Sequence, residues 1–272
     1  MRLKLNVPQW HYSMLLDRER VAIFKRAIEK TVKPGHIVYD VGTGSGILAM
    51  IAAKIAKKVY AIELDPITYQ YAMENIKFNK FNNITLIEGD AIEYNIQDNV
   101  DVIIAEMLDT ALITEPQIPV INTLLKKGIL KEKGRIIPEK VYNTAQVVIS
   151  RMNHIYYDEG VISKPLSKEI LYSTVDFYRI NRKDVSYNLE FNLSSIENIM
   201  NKVSNKCEYY SNLLGIRLNT YTVLTEDSIA GSTPMLNPPL IIPITNPRIE
   251  DDILKVKLSY RMGGDLESII IK

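Results

Sequence analysis

The stretch Val38-Tyr-Asp-Val-Gly-Thr-Gly-Ser-Gly46 decides how this chain is read. His36 to Val41 is rich in β-branched and aromatic residues and reads as a buried strand, while Ser45 to Lys57 reads as a helix. Between them, glycines at 42, 44 and 46 let the backbone turn tightly and approach a ligand without Cβ clashes. The spacing is G-x-G-x-G, and no Gly-Lys-Ser/Thr follows to hold a triphosphate and magnesium, so ATP hydrolysis is not expected.

Working outward, Leu16 to Val32 carries Val21, Phe24 and Ile28 at helical steps among charged residues and predicts an amphipathic helix ended by Pro34-Gly35. Downstream, Val59 to Glu63, Ile84 to Glu88 and Asp101 to Ala105 read as strands. Helices are predicted from Pro66 to the Asn82-Asn83 turn and from Ile118 to Lys127. Strands alternating with helices imply an α/β, Rossmann-like domain with a parallel central sheet covered on both faces. After Pro138 the texture changes. Val141 to Ile149, Ser173 to Ile180, Asn188 to Leu193, Ile216 to Val223 and Leu254 to Tyr260 mix β-branched, aromatic and polar residues, as antiparallel strands do. Prolines 234, 238, 239, 243 and 247 confine their segment to loops or strand edges. The expected division is a cofactor domain over residues 1–138 and a mostly β domain over 139–272.

Chemistry-bearing residues fall at strand ends. Glu63 closes the second strand, seventeen residues beyond Gly46, where a carboxylate accepts hydrogen bonds from ribose hydroxyls; Asp90 follows the third, placed to accept from an adenine amine. In an open α/β sheet the carboxyl edge is the ligand-binding edge. Asp40, Gly42, Gly44, Gly46, Glu63 and Asp90 therefore make a candidate nucleoside-cofactor site. An NAD site would place the third glycine one position later, to suit a pyrophosphate.

The bulk numbers narrow the alternatives. The 272 residues carry 46 % hydrophobic and 24 % charged side chains, an ordinary globular composition. With 33 basic against 32 acidic residues there is no broad positive field for a nucleic-acid backbone. Cys207 is the single cysteine, so no internal disulfide and no cysteine-paired zinc site is available, and no metal is expected. No apolar run approaches the roughly 20 residues needed to cross a bilayer, and no signal-peptide pattern opens the chain, so a cytoplasmic protein is expected.

The motif Asp-Val-Gly-Thr-Gly-Ser-Gly, followed in order by Glu63 and Asp90, resembles the class I S-adenosylmethionine-dependent methyltransferases. S-adenosylmethionine is the cofactor this resemblance implies. Within that class, roughly residues 10–150 resemble the protein arginine N-methyltransferases. His11-Tyr-Ser-Met-Leu-Leu-Asp17-Arg-Glu-Arg20 is similar to that family's H-x-x-M-L-x-D-x-x-R segment. The match implies that His11, Asp17 and Arg20 lie over the cofactor, with Arg20 pairing with its carboxylate. Ala105-Glu106-Met-Leu-Asp-Thr-Ala-Leu-Ile-Thr-Glu115 is similar to the family's acidic hairpin, whose two glutamates, nine positions apart, grip a substrate guanidinium. Glu106 and Glu115 are thus the candidate catalytic pair, beyond the expected cofactor contacts. Leu130 to Pro138 resembles the link into the family's C-terminal β-barrel.

Departures are specific. The family's Thr-His-Trp loop corresponds here to Ser232 to Leu240, without the histidine or tryptophan, and the segment from Ser150 to Thr174 is shorter than the family's dimerisation arm. Asn237-Pro-Pro-Leu240 looks like the Asn-Pro-Pro-aromatic tetrad of amino-methylating enzymes. It lies far from the end of the fourth strand, where that tetrad belongs, and reads as a loop. The leading reading is an N-methyltransferase acting on an arginine-like nitrogen of a protein; the alternatives are an RNA methyltransferase and a non-catalytic cofactor-binding scaffold. The acceptor and the oligomeric state stay open, and no membrane partner is expected.

Overall fold

In the computed structural model, residues 3–158, 163–193, 214–245 and 247–272 are described; Cys207 lies outside them. The chain begins with helices α1 (Gln9–Leu16) and α2 (Arg18–Thr31), where one helix from Leu16 was expected. Asp17 makes the break. Its backbone (φ −70, ψ 82) leaves the helical region, and its carboxylate caps α2 by accepting from the Arg20 N–H at 3.0 Å. Ile23, Phe24, Ala27 and Ile28 bury one face of α2 in the core.

There follow β1 (Ile37–Val41), α3 (Ile47–Ala53), β2 (Lys58–Glu63), α4 (Pro66–Phe78), β3 (Ile84–Glu88), β4 (Val100–Ala105), α5 (Gln117–Lys126) and β5 (Leu130–Ile137). All five strands are parallel, in the order β3-β2-β1-β4-β5. β1 and β4 are almost wholly buried, as central parallel strands require. The chain reverses its winding between β1 and β4, which run side by side from Val38 opposite Val102 to Val41 opposite Ala105. The crevice of such a sheet opens at the carboxyl ends of that pair. Leu130–Ile137, expected as a link, is instead the fifth strand of the sheet. Its Lys-Glu-Lys-Gly stretch is polar because only its end, Ile136 and Ile137, enters the core.

The remaining chain is antiparallel. β6 (Lys140–Ile149), β7 (Tyr156–Tyr157), β8 (Ile170–Asp176), β9 (Asp184–Asn192), β10 (Leu214–Thr225), β11 (Ser228–Ala230), β12 (Leu240–Ile244), β13 (Ile249–Glu250), β14 (Ile253–Arg261) and β15 (Ile270–Ile271) follow in order. One sheet runs β7-β12-β10-β6-β8 with β11 on β10; the other joins β13, β14 and β15 with β9 on β14. The expected barrel is therefore corrected to two open sheets, with no closed sheet among the described residues. Tyrosines pack the sheets together: Tyr172 of β8 meets Tyr187 of β9 edge-on at 4.9 Å, and the Tyr172 and Tyr260 hydroxyls lie 3.3 Å apart. Pro243 stands in β12 beyond the two residues that β7 covers, where a missing N–H breaks no ladder bond on that side. Among the described residues no helix is long and apolar enough to cross a membrane.

Candidate functional site

A cavity of about 530 Å³ opens at the carboxyl ends of the parallel strands. Its floor is the glycine turn. Gly44 has φ +57, and a Cβ there would stand 2.6 Å from His11 Cε1, so only glycine leaves room for the imidazole. The Gly44 N–H donates to Glu63 Oε2 at 2.8 Å, and the Asp65 N–H donates to Glu63 Oε1 at 3.0 Å. The β2 end is thereby tied to the β1 turn, and each carboxylate oxygen keeps a lone pair for a hydroxyl donor. Asp90, after β3, accepts from the Ile92 N–H at 2.8 Å and also lines the cavity.

Of the residues expected at the cofactor, His11, Arg20, Gly42, Gly44, Glu63 and Asp90 line this cavity. Asp40, Asp17 and Gly46 do not. Asp40 is fully buried beneath the turn, where it accepts from Thr43 Oγ1 at 2.6 Å; burial pushes its carboxyl up to about 7. Gly46, at φ +81, is the cap of α3. Asp17 holds two parts of the chain together: besides capping α2, it accepts from Thr233 Oγ1 and, at 3.0 Å, from the Met235 N–H. The segment that corresponds to the Thr-His-Trp loop therefore does reach the cavity, but it presents Met235. Burial, with Arg20 adding to it, lowers the His11 pKa and keeps the imidazole neutral.

Glu106 and Glu115 both line the same cavity. The expectation that Glu106 stands clear of the cofactor residues is not met. The Arg20 guanidinium donates through Nε to Glu106 Oε1 at 3.3 Å and through Nη2 to Oε2, and both side chains are under one-tenth exposed (8 % and 7 %). Nη1 donates to the Met14 carbonyl at 3.3 Å. Burial lowers the Arg20 pKa to about 10, which leaves it a cation at neutral pH. Glu115 is exposed, and partial desolvation raises its carboxyl above the ordinary range.

Residues that sequence reasoning passed over hold this loop. Gln117, wholly buried, accepts from the Met107 N–H at 3.2 Å through Oε1. Asp109 accepts from several N–H groups of the loop, and Asn237-Pro238, read as loop, ties it down by accepting from Thr110 Oγ1 at 2.6 Å through the Pro238 carbonyl. Their signal in sequence is weak, since a lone Asp or Gln in a loop is common.

The set fits S-adenosylmethionine. Two half-buried carboxylates, Glu63 and Asp90, stand at the β2 and β3 ends with acceptors of the kind a nucleoside's hydroxyls and amine bind, the buried Arg20 guanidinium lines the same cavity, and the glycine floor is too tight for a Cβ at position 44. The sequence profile of the family described as ribosomal protein L11 methyltransferase (PrmA) matches residues 22–157. The chain belongs to the PrmA methyltransferase family. This PrmA-family chain is an S-adenosylmethionine-dependent methyltransferase. An uncharacterized protein of Methanocaldococcus jannaschii is 56 % identical to it over 99 % of this chain and 98 % of its own length. An arginine N(omega)-methyltransferase of Streptomyces achromogenes subsp. streptozoticus is 32 % identical over 49 % of this chain and 38 % of its own. Among solved structures, protein arginine methyltransferase 10 of Arabidopsis thaliana shares the fold with a TM-score of 0.75 over 97 % of both chains, at 16 % identity.

Proposed function

We propose that this methyltransferase acts on an arginine-like guanidinium nitrogen of a protein, held between Glu106 and Glu115. The observation that carries the reading is that Glu106 and Glu115 line one cavity, Glu106 keeping a lone pair on each oxygen beyond those that Arg20 engages. A carboxylate placed for two-pronged guanidinium binding inside a cofactor cavity is matched to a planar cation. The partial match to an arginine N(omega)-methyltransferase supports the same acceptor chemistry. The family profile's own description supports a protein acceptor.

S-adenosylmethionine, when bound, supplies a methyl group on a positively charged sulfur. Gly42, Gly44, Glu63 and Asp90 would hold its nucleoside, and Arg20 would face its amino-acid carboxylate. Guanidinium lone pairs are delocalised, so the acceptor nitrogen is a weak nucleophile. The two glutamates concentrate positive charge on the nitrogens they bind and leave the remaining one richer in electrons. With the cofactor bound, its methyl group would pass from sulfur to that nitrogen, the S–C electron pair staying on sulfur, and Glu115, whose carboxyl partial desolvation raises above the ordinary range, would take the proton that the nitrogen loses. Residues 1–138 serve as the cofactor half of the molecule and 139–272 as the half on which the acceptor docks.

The test is transfer of labelled methyl from S-adenosylmethionine into cell extract, treated afterwards with protease or nuclease. Label that is lost to protease and located on arginine by mass spectrometry is the expected result. Label confined to RNA overturns the reading and leaves the cofactor assignment standing.

A further inference from the structure

The acidic loop between β4 and α5 is held in a conformation that its sequence does not favour. Ala111 and Leu112 both stand in the left-handed region, at φ 60 and φ 61, where residues with a Cβ are disfavoured. Thr110 to Ile113 is wholly buried, so the strain is maintained by packing and hydrogen bonds around it. From outside, Thr220 Oγ1 of β10 accepts from the Ala111 N–H at 2.7 Å and is itself anchored on Asn143 Oδ1 of β6 at 2.8 Å. The Gly263 and Gly264 N–H groups donate to the Leu112 and Ile113 carbonyls at 2.9 and 2.7 Å.

Inside the loop a single side chain collects four donors. Asp109 Oδ2 accepts from the Ile113 N–H (3.1 Å), the Thr114 N–H (2.8 Å) and Thr114 Oγ1 (3.0 Å), and Oδ1 accepts from the Glu115 N–H at 3.3 Å. Asp109 is buried and does not line the cavity, so its carboxylate acts through the residues it holds. We propose that Asp109 is a positioning residue of the reaction, whose carboxylate fixes the backbone of residues 113–115 and so sets Glu115 across the cavity from Glu106. This rests on the reading that Glu115 grips the acceptor. Only a carboxylate serves. It presents acceptors on both oxygens, whereas an amide that keeps the Oδ2 bonds turns its NH2 toward the Glu115 N–H and releases the very residue in question.

A mutant cycle with labelled S-adenosylmethionine and total cell extract separates the outcomes. Asp109→Asn is expected to lower methyl transfer by about 10- to 100-fold, the cost of a catalytic group displaced by about 1 Å. Glu115→Gln is expected to lower it by several hundred-fold, on the order of the loss of one transition-state contact. The double variant is expected to be no worse than Glu115→Gln, because Asp109 acts only through Glu115. S-adenosylhomocysteine affinity, read by calorimetry, stays unchanged in all three. If Asp109→Asn does not fold, Thr114→Val removes one donor and spares the backbone bonds; it is expected to lose about 3- to 10-fold and to show the same absence of additivity with Glu115→Gln. Losses that add, or full transfer by Asp109→Asn, overturn the proposal and leave the role of Glu115 intact. Full transfer by Glu115→Gln, or no label from the wild-type protein, overturns the acceptor reading and this inference with it.

Discussion

Replacing Glu106 by glutamine should do two opposite things, and the Arg20 ion pair says why. The pair is buried, with the guanidinium forked over both carboxylate oxygens. Removing one partner of a buried pair costs about 3–5 kcal/mol. Glutamine keeps one acceptor for the guanidinium, and Asp17 still acts on Arg20, so about 2–3 kcal/mol should remain, or a melting temperature lower by roughly 5–10 °C. The same change removes the negative charge that lies closest to the buried cation. A cofactor carboxylate that meets a bare guanidinium gains more than one that meets a neutralised pair, by about 1–2 kcal/mol, which is roughly 5- to 30-fold in affinity. Calorimetry with S-adenosylhomocysteine and with methylthioadenosine, which lacks the amino-acid carboxylate, separates this from a general effect. Expected is tighter binding of the first, unchanged binding of the second, and methyl transfer reduced by hundreds-fold. Weaker S-adenosylhomocysteine binding, or equal changes for both ligands, would refute the placement of Arg20 at the carboxylate.

Gly44→Ala puts a Cβ into the His11 ring at a left-handed φ, and should weaken S-adenosylhomocysteine at least about tenfold in calorimetry while costing only about 1–2 kcal/mol of stability in denaturant titration. Gly263→Ala, at φ +69 with its Cβ 2.6 Å from the rigid Pro119 ring, should destabilise by about 1–3 kcal/mol and lower methyl transfer, because it loosens the turn that holds Leu112. Asp40 gives a pH signature. Its folded-state carboxyl titrates near 7, above an unfolded value of about 3.9, so the folded protein holds one more proton between those limits. Its contribution to stability is fully present below about pH 4 and is lost as pH rises through about 7, with a slope of about 1.4 kcal/mol per pH unit, and Asp40→Asn should remove that slope from the melting profile.

Much of the cofactor half was legible in the chain. The glycine spacing, Glu63 and Asp90 are local signals: a tight turn and two strand ends each demand their residue types within a few positions, so order along the sequence is enough to propose a nucleoside site. Glu106 and Glu115 were singled out as a pair by their resemblance to the acidic hairpin of the protein arginine N-methyltransferases, and the fold brings both to the same cavity. What the chain could not supply was who faces whom. Arg20 and Glu106 are 86 positions apart, and their pairing follows only from the tertiary fold, which brings the first turn of α2 to the residue just after β4. Leu130–Ile137 was missed as a strand because six of its eight residues lie outside the fully buried core, and a half-solvated edge strand carries no continuous apolar run. The barrel was implied by the family resemblance and not by the residues themselves: local patterning predicts strands, while closure depends on how the edges of the two sheets meet. Asp109 illustrates the limit: its residue type is ordinary for a loop, and its role comes from three backbone N–H groups and one hydroxyl that the strained loop turns toward it. Sequence determined the elements and the chemistry available to them; tertiary structure decided which charges share a cavity, because only the fold brings together groups that the chain keeps far apart.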